Sequence, residues 1–342
     1  MPLKILFLSH AFTPAIGGIE TSSELVANAF VEAGHQVRLM TMTTSKAVDH
    51  LPYRVIRRPS VSELIKHHLW ADIIFENNPC LRLGYPKLVL RKPSVVVLQT
   101  WLSGFTSNIG FAGKLRRFWL NQARNVIAVS QAVQQRCFPT ALVIGNSYND
   151  KLFRCRPINR KKDFVYVGRL VSDKGVELAI HAFASIVFFN PVPGFETSTL
   201  TIIGDGDECN KLKKIANKFP DPNRVKFLGS LKGEALVDEL NQHSFQFIPS
   251  LWEEPFGIVA LEGIACGLIP IASDGGGLPD AVGQAGVTFK RGQLDSLIAV
   301  TTQLLESYQQ QEQCLQAASK QLSSFSSKVI TDQFLAVLEH LY

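Results

Sequence analysis

The chain has 342 residues, 46% hydrophobic and 19% charged, the balance of a soluble α/β protein long enough for two domains that each bury a core. No apolar run reaches the roughly 20 residues of a membrane span and no signal peptide is read before the first strand, so a cytoplasmic location is expected. The six cysteines (80, 137, 155, 209, 266, 314) show no C-x-x-C spacing and read as reduced thiols, not as a metal or disulfide framework.

The net charge of +6 is unevenly placed. Residues 1–150 carry 16 Lys+Arg against 8 Asp+Glu, net +8, which leaves 19 against 21, net −2, for the remainder. An anionic partner is expected for the first half only, and no nucleic-acid motif accompanies the charge.

Residues 4–8 form a short apolar run, followed by a loop containing Gly17-Gly18 and a helical pattern over 19–33. Strand, glycine loop and helix in that order open a Rossmann-like unit. Gly17 and Gly18 either let backbone approach a ligand at the helix start or form a plain turn. A dinucleotide site is excluded, because G-x-G-x-x-G is missing. The next strand, 36–42, also ends in Thr43-Thr44 with no acidic residue for a ribose.

Further strands are expected at 73–76, 94–98, 125–129 and 142–144 with helices between them. That alternation implies a parallel doubly wound sheet with its site at the C-terminal strand ends. Gln99 lies at such an end; its amide can bond a hydroxyl but cannot act as a base. A helix expected over 112–123 sets Lys114, Arg116 and Arg117, with Arg124 just beyond, beside Phe111, Leu115, Phe118 and Trp119. Such a helix suits the surface of an anionic bilayer. The alternative is an apolar face packed on the sheet with its charges solvated.

Residues 146–160 are polar and turn-rich and mark a boundary, giving domains at 1–149 and 150–327 with a last helix in 328–342. The second domain opens with a strand at 163–167, then Gly168-Arg169-Leu170, Lys174-Gly175 and a helix over 176–189. Two basic residues in a loop are ordinarily solvated surface. At the head of a site they would meet the charge that develops on a phosphate leaving group. The strand at 199–203 ends in Gly204-Asp-Gly-Asp207, whose D-x-D spacing suits a metal superficially; its glycine-rich setting before a helix favours a turn and cap.

A strand at 245–248 leads into Ser250-Leu-Trp-Glu-Glu-Pro-Phe-Gly-Ile-Val-Ala-Leu-Glu262. Pro255 closes a turn before a helix starting near Gly257, which leaves the N–H groups of Phe256, Gly257 and Ile258 as donors for a ligand. Glu262 sits among apolar neighbours, and a buried carboxylate needs a partner such as vicinal sugar hydroxyls. The residues alone fit equally well a helix-start Glu254 near the dipole and an ordinary surface Glu262.

Glu254 and Glu262, enclosing Pro-Phe-Gly, resemble the E-x(7)-E signature of glycosyltransferase family 4, retaining nucleotide-sugar enzymes of the GT-B fold. Pro14–Glu20 is similar to that family's N-terminal loop facing donor phosphates and acceptor, and Gly-Arg-Leu…Lys-Gly resembles its diphosphate clamp. The resemblance implies two Rossmann-like doubly wound domains facing a central cleft, the C-terminal helix crossing back to the first. It implies a hexosyltransferase, UDP-glucose being the leading donor, acting on a hydroxyl of a glycan or lipid-linked glycan. Arg169, Lys174 and Glu254 would act in catalysis, Glu262 would hold the ribose and Glu254 the sugar. Gly17, Gly18, Gln99, Gly204, Leu231 and the stretch Pro255, Phe256, Gly257 and Ile258 would complete the donor site, with no metal or cofactor. Many members carry a histidine where this chain has Leu98-Gln99, which points to one rival, a silent sugar-nucleotide-binding partner; the other rival is a GT-B nucleotide-sugar epimerase. Peripheral contact with an anionic membrane on its cytoplasmic face is expected, and no nucleic acid.

Overall fold

The computed structural model describes residues 2–15, 17–45, 50–102 and 111–341, with backbone only at 111 and 112. It divides into two compact units, one of Met1–Ser147 with Ser326–Tyr342 and one of Tyr148–Phe325. Each division falls two residues before the boundary expected from composition.

Seven described strands of the first unit, β1 (Lys4–Leu8), β2 (Gln36–Thr41), β3 (Arg54–Arg57), β4 (Ile73–Asn77), β5 (Ser94–Leu98), β6 (Asn125–Ala128) and β7 (Leu142–Val143), make one parallel sheet in the order β3-β2-β1-β4-β5-β6-β7. The short β3 was not foreseen: four residues with basic ends, Arg54 and Arg57, give no apolar run to read. The connecting helices are α1 (Gly18–Glu32), α2 (Val61–Trp70), α3 (Leu81–Gly84), α4 (Pro86–Leu90), α5 (Phe111–Asn121) and α6 (Gln131–Cys137). A Ser60–Glu63 capping box starts α2 by satisfying two end N–H groups.

β1, β4 and β5 are buried almost throughout, as strands covered on both faces must be. Phe7 and Phe75 meet with ring centres 5.0 Å apart, and Phe30 of α1 stands edge-on to Phe75.

The second unit has β8 (Phe164–Val167), β9 (Leu200–Ile203), β10 (Val225–Gly229), β11 (Phe245–Ile248), β12 (Ile269–Ser273) and β13 (Val287–Phe289), parallel in the order β10-β9-β8-β11-β12-β13. Its helices are α7 (Val176–Ala184), α8 (Cys209–Ala216), α9 (Gly233–Asn241), α10 (Ile258–Ala265), α11 (Leu278–Val282), α12 (Leu294–Glu306) and α13 (Tyr308–Ser324). The helix expected to run to residue 189 widens into a π-turn at Ser185–Phe189, where Asn190 N–H reaches back five residues to the Ser185 carbonyl at 2.7 Å. Phe164, Phe245 and Phe247, from neighbouring strands, fill the core with Phe183 and Phe195.

Beyond Phe325 the chain returns to the first unit as α14 (Ser327–Glu339), started by the Ser326 side chain. α14 packs on α1 and sets Phe334 edge-on to Phe75 at 5.5 Å. Loss of such a buried ring costs about 3–5 kcal/mol, so this return is a structural part of the first unit.

Candidate functional site

The strand order of the second sheet reverses between β8 and β11, so the loops after these strands leave its C-terminal edge side by side, the place where doubly wound sheets bind ligands. The β8 loop supplies Arg169 and Lys174; the β11 loop supplies Ser250 and Glu254. Lys174 Nζ is ion-paired with Glu254 Oε1, the two side chains being 20% and 19% exposed. Ser250 Oγ donates to the same oxygen at 2.8 Å. Arg169 is exposed, and among the described residues nothing engages its guanidinium.

Beneath Arg169, Tyr166 Oη donates to the Arg169 carbonyl at 3.0 Å. Burial, then the charges of Glu254 and Asp173, raise its phenol above the ordinary range, so it stays a neutral donor. The resemblance gave Tyr166 and Ser250 no role; their only signal was their place at the two strand ends.

These loops interlock through glycines. Gly204 has φ 144°, and a side chain there would put a Cβ 1.8 Å from the Gly168 carbonyl oxygen. Gly276, at φ 67°, would meet the Glu254 carbonyl at 2.1 Å, and Gly277 N–H donates to that carbonyl at 2.7 Å. The backbone carrying Glu254 is thereby fixed against the β12 loop.

After Pro255, Phe256 is buried edge-on to Phe325 at 5.2 Å. Gly257 caps α10 in the left-handed region, φ 111°, and Ile258 begins the helix with no side-chain cap. Glu262 lies five positions into α10. Burial pushes its carboxyl up to about 7, and among the described residues nothing hydrogen-bonds to it. Glu262 is half-buried by its surface exposure, between buried Leu261 and buried Gly263.

Gly204 N–H donates to the Gly229 carbonyl at 2.8 Å, which brings the Gly204 turn beside the turn leading to half-buried Leu231. Asp205 Oδ1 accepts from Gly206 N–H at 2.8 Å, forming the expected turn. The cap expected beside it does not come from a carboxylate side chain, because α8 starts after Glu208 with no side-chain cap.

In the first unit the order reverses between β1 and β4. Gly17 precedes α1 in extended backbone, its carbonyl accepting from Thr21 N–H at 3.1 Å, and Gly18 opens the helix with free space around its Cα. Ile16, within the Pro14–Glu20 pattern, lies outside the described residues.

Gln99 is buried, and both ends of its amide are engaged. Nε2 donates to Asn77 Oδ1 at 2.9 Å and to Asn146 Oδ1 at 3.0 Å, while Asn146 Nδ2 donates to Gln99 Oε1 at 2.8 Å. Asn77 Nδ2 continues the chain to Ser23 Oγ at 2.8 Å, and Ser23 meets Ser9 at 2.8 Å. With Gln99 Nε2 also donating to the Ser22 hydroxyl at 3.2 Å, these bonds tie α1 to the ends of β1, β4 and β5.

In α5, Trp119 and Leu120 face inward, whereas Leu115 and Phe118 are 42% and 51% exposed beside exposed Lys114 and Arg117. The side chain of Phe111 lies outside the described residues. Part of the apolar face packs as the alternative required, and part is left outside. No helix among the described residues is long and apolar enough to cross a membrane.

Two Rossmann-like parallel-sheet units define the GT-B fold. HepE of Anabaena, solved with UDP and glucose, matches with TM-score 0.81 over 99% of this chain and 100% of its own at 22% identity. Sucrose-phosphate synthase of Thermosynechococcus elongatus matches with TM-score 0.78 at 20% identity, over 99% of each chain. The family model of glycosyl transferases group 1 matches residues 149–321, just over half of the chain, and the chain belongs to that family. The phosphatidylinositol N-acetylglucosaminyltransferase gpi3 subunit of Schizosaccharomyces pombe is 25% identical over 88% of this chain and 72% of its own length. Glycogen synthase of Mycobacterium tuberculosis is 33% identical over 49% of this chain and 40% of its own.

Proposed function

We propose that the chain is a retaining, metal-independent hexosyltransferase that moves a sugar, first choice glucose from UDP-glucose, to a hydroxyl of a glycan or lipid-linked glycan in polysaccharide or glycolipid synthesis. The observation that carries the reading is the pairing of Lys174 with Glu254, beside unengaged Arg169, at the strand-order reversal of the second sheet. Arg169 and Lys174 meet the diphosphate, whose growing negative charge they stabilise as its bond to the sugar breaks. Glu254, released from Lys174 as phosphate arrives, accepts from sugar hydroxyls. Glu262 takes the ribose hydroxyls that its apolar setting leaves it without.

The acceptor oxygen attacks on the face from which the diphosphate departs, and a donor phosphate oxygen takes the acceptor proton, so the anomeric configuration is kept. The first unit, on the acceptor side, works against an anionic membrane through α5. Relatives named for phosphatidylinositol N-acetylglucosaminyl transfer and for glycogen synthesis fit a lipid or glycan acceptor.

The test follows UDP release from UDP-glucose with and without a panel of glycan and lipid acceptors, and reads the product anomer by NMR. Acceptor-dependent release with a retained anomer is expected. Conversion of donor alone would make the chain an epimerase and overturn the reading.

A further inference from the structure

The first unit has a pocket that the donor site does not use. At the C-terminal edge of its sheet, His10, Arg58, Arg82 and Tyr85 line a space of about 680 Å³ with Val61 and Leu64 of α2. No carboxylate lines it. Among the described residues nothing engages the side chains of His10, Arg82 or Tyr85, and Arg58 makes only a long Nε bond, 3.4 Å, to the Met42 carbonyl. Two guanidinium forks, an imidazole and a phenol converge on a site whose other walls are apolar, a donor set that fits a phosphate attached to something greasy.

The pocket opens onto an apolar helix face. Val61, Ile65 and Leu69 follow one another at helical spacing along α2, 62%, 43% and 58% exposed, while Leu64, His67 and His68 form its inner side. α4 packs beside α2 and adds Leu88 and Val89, 38% and 82% exposed. Residues 61–124 hold nine Lys+Arg and three Asp+Glu. Lys87 and Glu76 pair in the interior, so eight basic and two acidic residues remain for the outside. The pocket itself carries Arg58, Arg82 and His10 and no carboxylate, so a second copy of the chain would set like charges against each other there, whereas an anionic surface complements it.

We propose that this pocket binds the phosphate of an anionic membrane lipid, with Val61, Ile65 and Leu69 resting at the boundary between headgroups and acyl chains. The inference rests on the reading of the chain as a transferase working at a membrane, and gives that surface a defined headgroup site separate from α5. Val61 belongs to both pocket and stripe, so a lipid whose phosphate sits between Arg58 and Arg82 has its chains beside the stripe.

The test is sedimentation of the full chain with vesicles of phosphatidylcholine alone or mixed with phosphatidylserine, at low salt, with UDP binding followed in parallel by calorimetry. Wild type is expected to bind the mixed vesicles and hardly the neutral ones. Arg58→Ala with Arg82→Ala should weaken that binding about 25-fold, roughly fivefold per basic side chain near an anionic surface. Ile65→Ser with Leu69→Ser should weaken it comparably, and neither pair should change UDP binding. A wild type that ignores anionic vesicles yet binds UDP overturns this inference and the membrane contact of α5, and leaves the sugar-transfer reading standing. Loss of UDP binding in wild type counts instead against the proposed function. Full vesicle binding by both double variants overturns the inference, as does equal affinity for heparin or for free glycerol phosphate, which would make this a polyanion surface or a soluble-phosphate site.

Discussion

Lys174 and Glu254, 80 positions apart, are bonded to each other across the reversal point of the second sheet. Each thus takes the place of the other's expected partner, the lysine that of a sugar hydroxyl and the carboxylate that of a phosphate. Arg169→Ala and Lys174→Ala are each expected to lower turnover about 10²–10³-fold while leaving the thermal midpoint nearly unchanged. Near-normal kcat in both variants would remove the clamp from the mechanism.

Glu262 gives a pH signature. Its folded value, about 7, lies above the ordinary 4.5, so the folded protein favours the neutral acid. The burial penalty is therefore absent below 4.5, grows as pH rises through the window to 7, and is complete above it. Glu262→Gln should stabilise the ligand-free protein at pH 8 by roughly 2–3 kcal/mol and leave it unchanged near pH 4. Melting curves at the two pH values decide this; equal effects at both would show that the carboxyl is not held neutral by burial.

Gln99→Ala should act on stability and not on sugar recognition. It strips partners from Asn77 and Asn146 in a buried network, for which a loss of about 2–3 kcal/mol is expected. A variant with unaltered melting temperature but weakened donor-sugar binding would return Gln99 to the site.

Much of this was legible because it is local. The apolar run 4–8, the glycines behind it and the helix that follows are read from periodicity, and β1 and α1 stand within a residue of that reading. The two glutamates and the Gly-Arg-Leu loop were found by spacing and resemblance. The Lys174–Glu254 bond was not, since spacing within each loop says nothing of which loops the strand order brings together. Gln99 was read for its chemistry at a strand end; what its amide bonds depends on α1 and on Asn146, 47 positions away. The strand β13, three residues long, is too short for any pattern.

Lys114, Arg116 and Arg117, changed together to Glu, are expected to weaken salt-sensitive attachment of the chain to anionic liposomes, since each basic residue contributes roughly 1 kcal/mol there. Unchanged attachment would confine the membrane surface to α2 and α4.

The most direct measurement is calorimetric titration of wild type, Glu262→Ala and Glu254→Ala with UDP and with UDP-glucose. The account predicts that wild type binds both ligands, that Glu262→Ala loses affinity for both alike, and that Glu254→Ala keeps UDP while losing the increment due to glucose. Equal losses of both ligands in both variants, or no binding of either ligand by wild type, would contradict it.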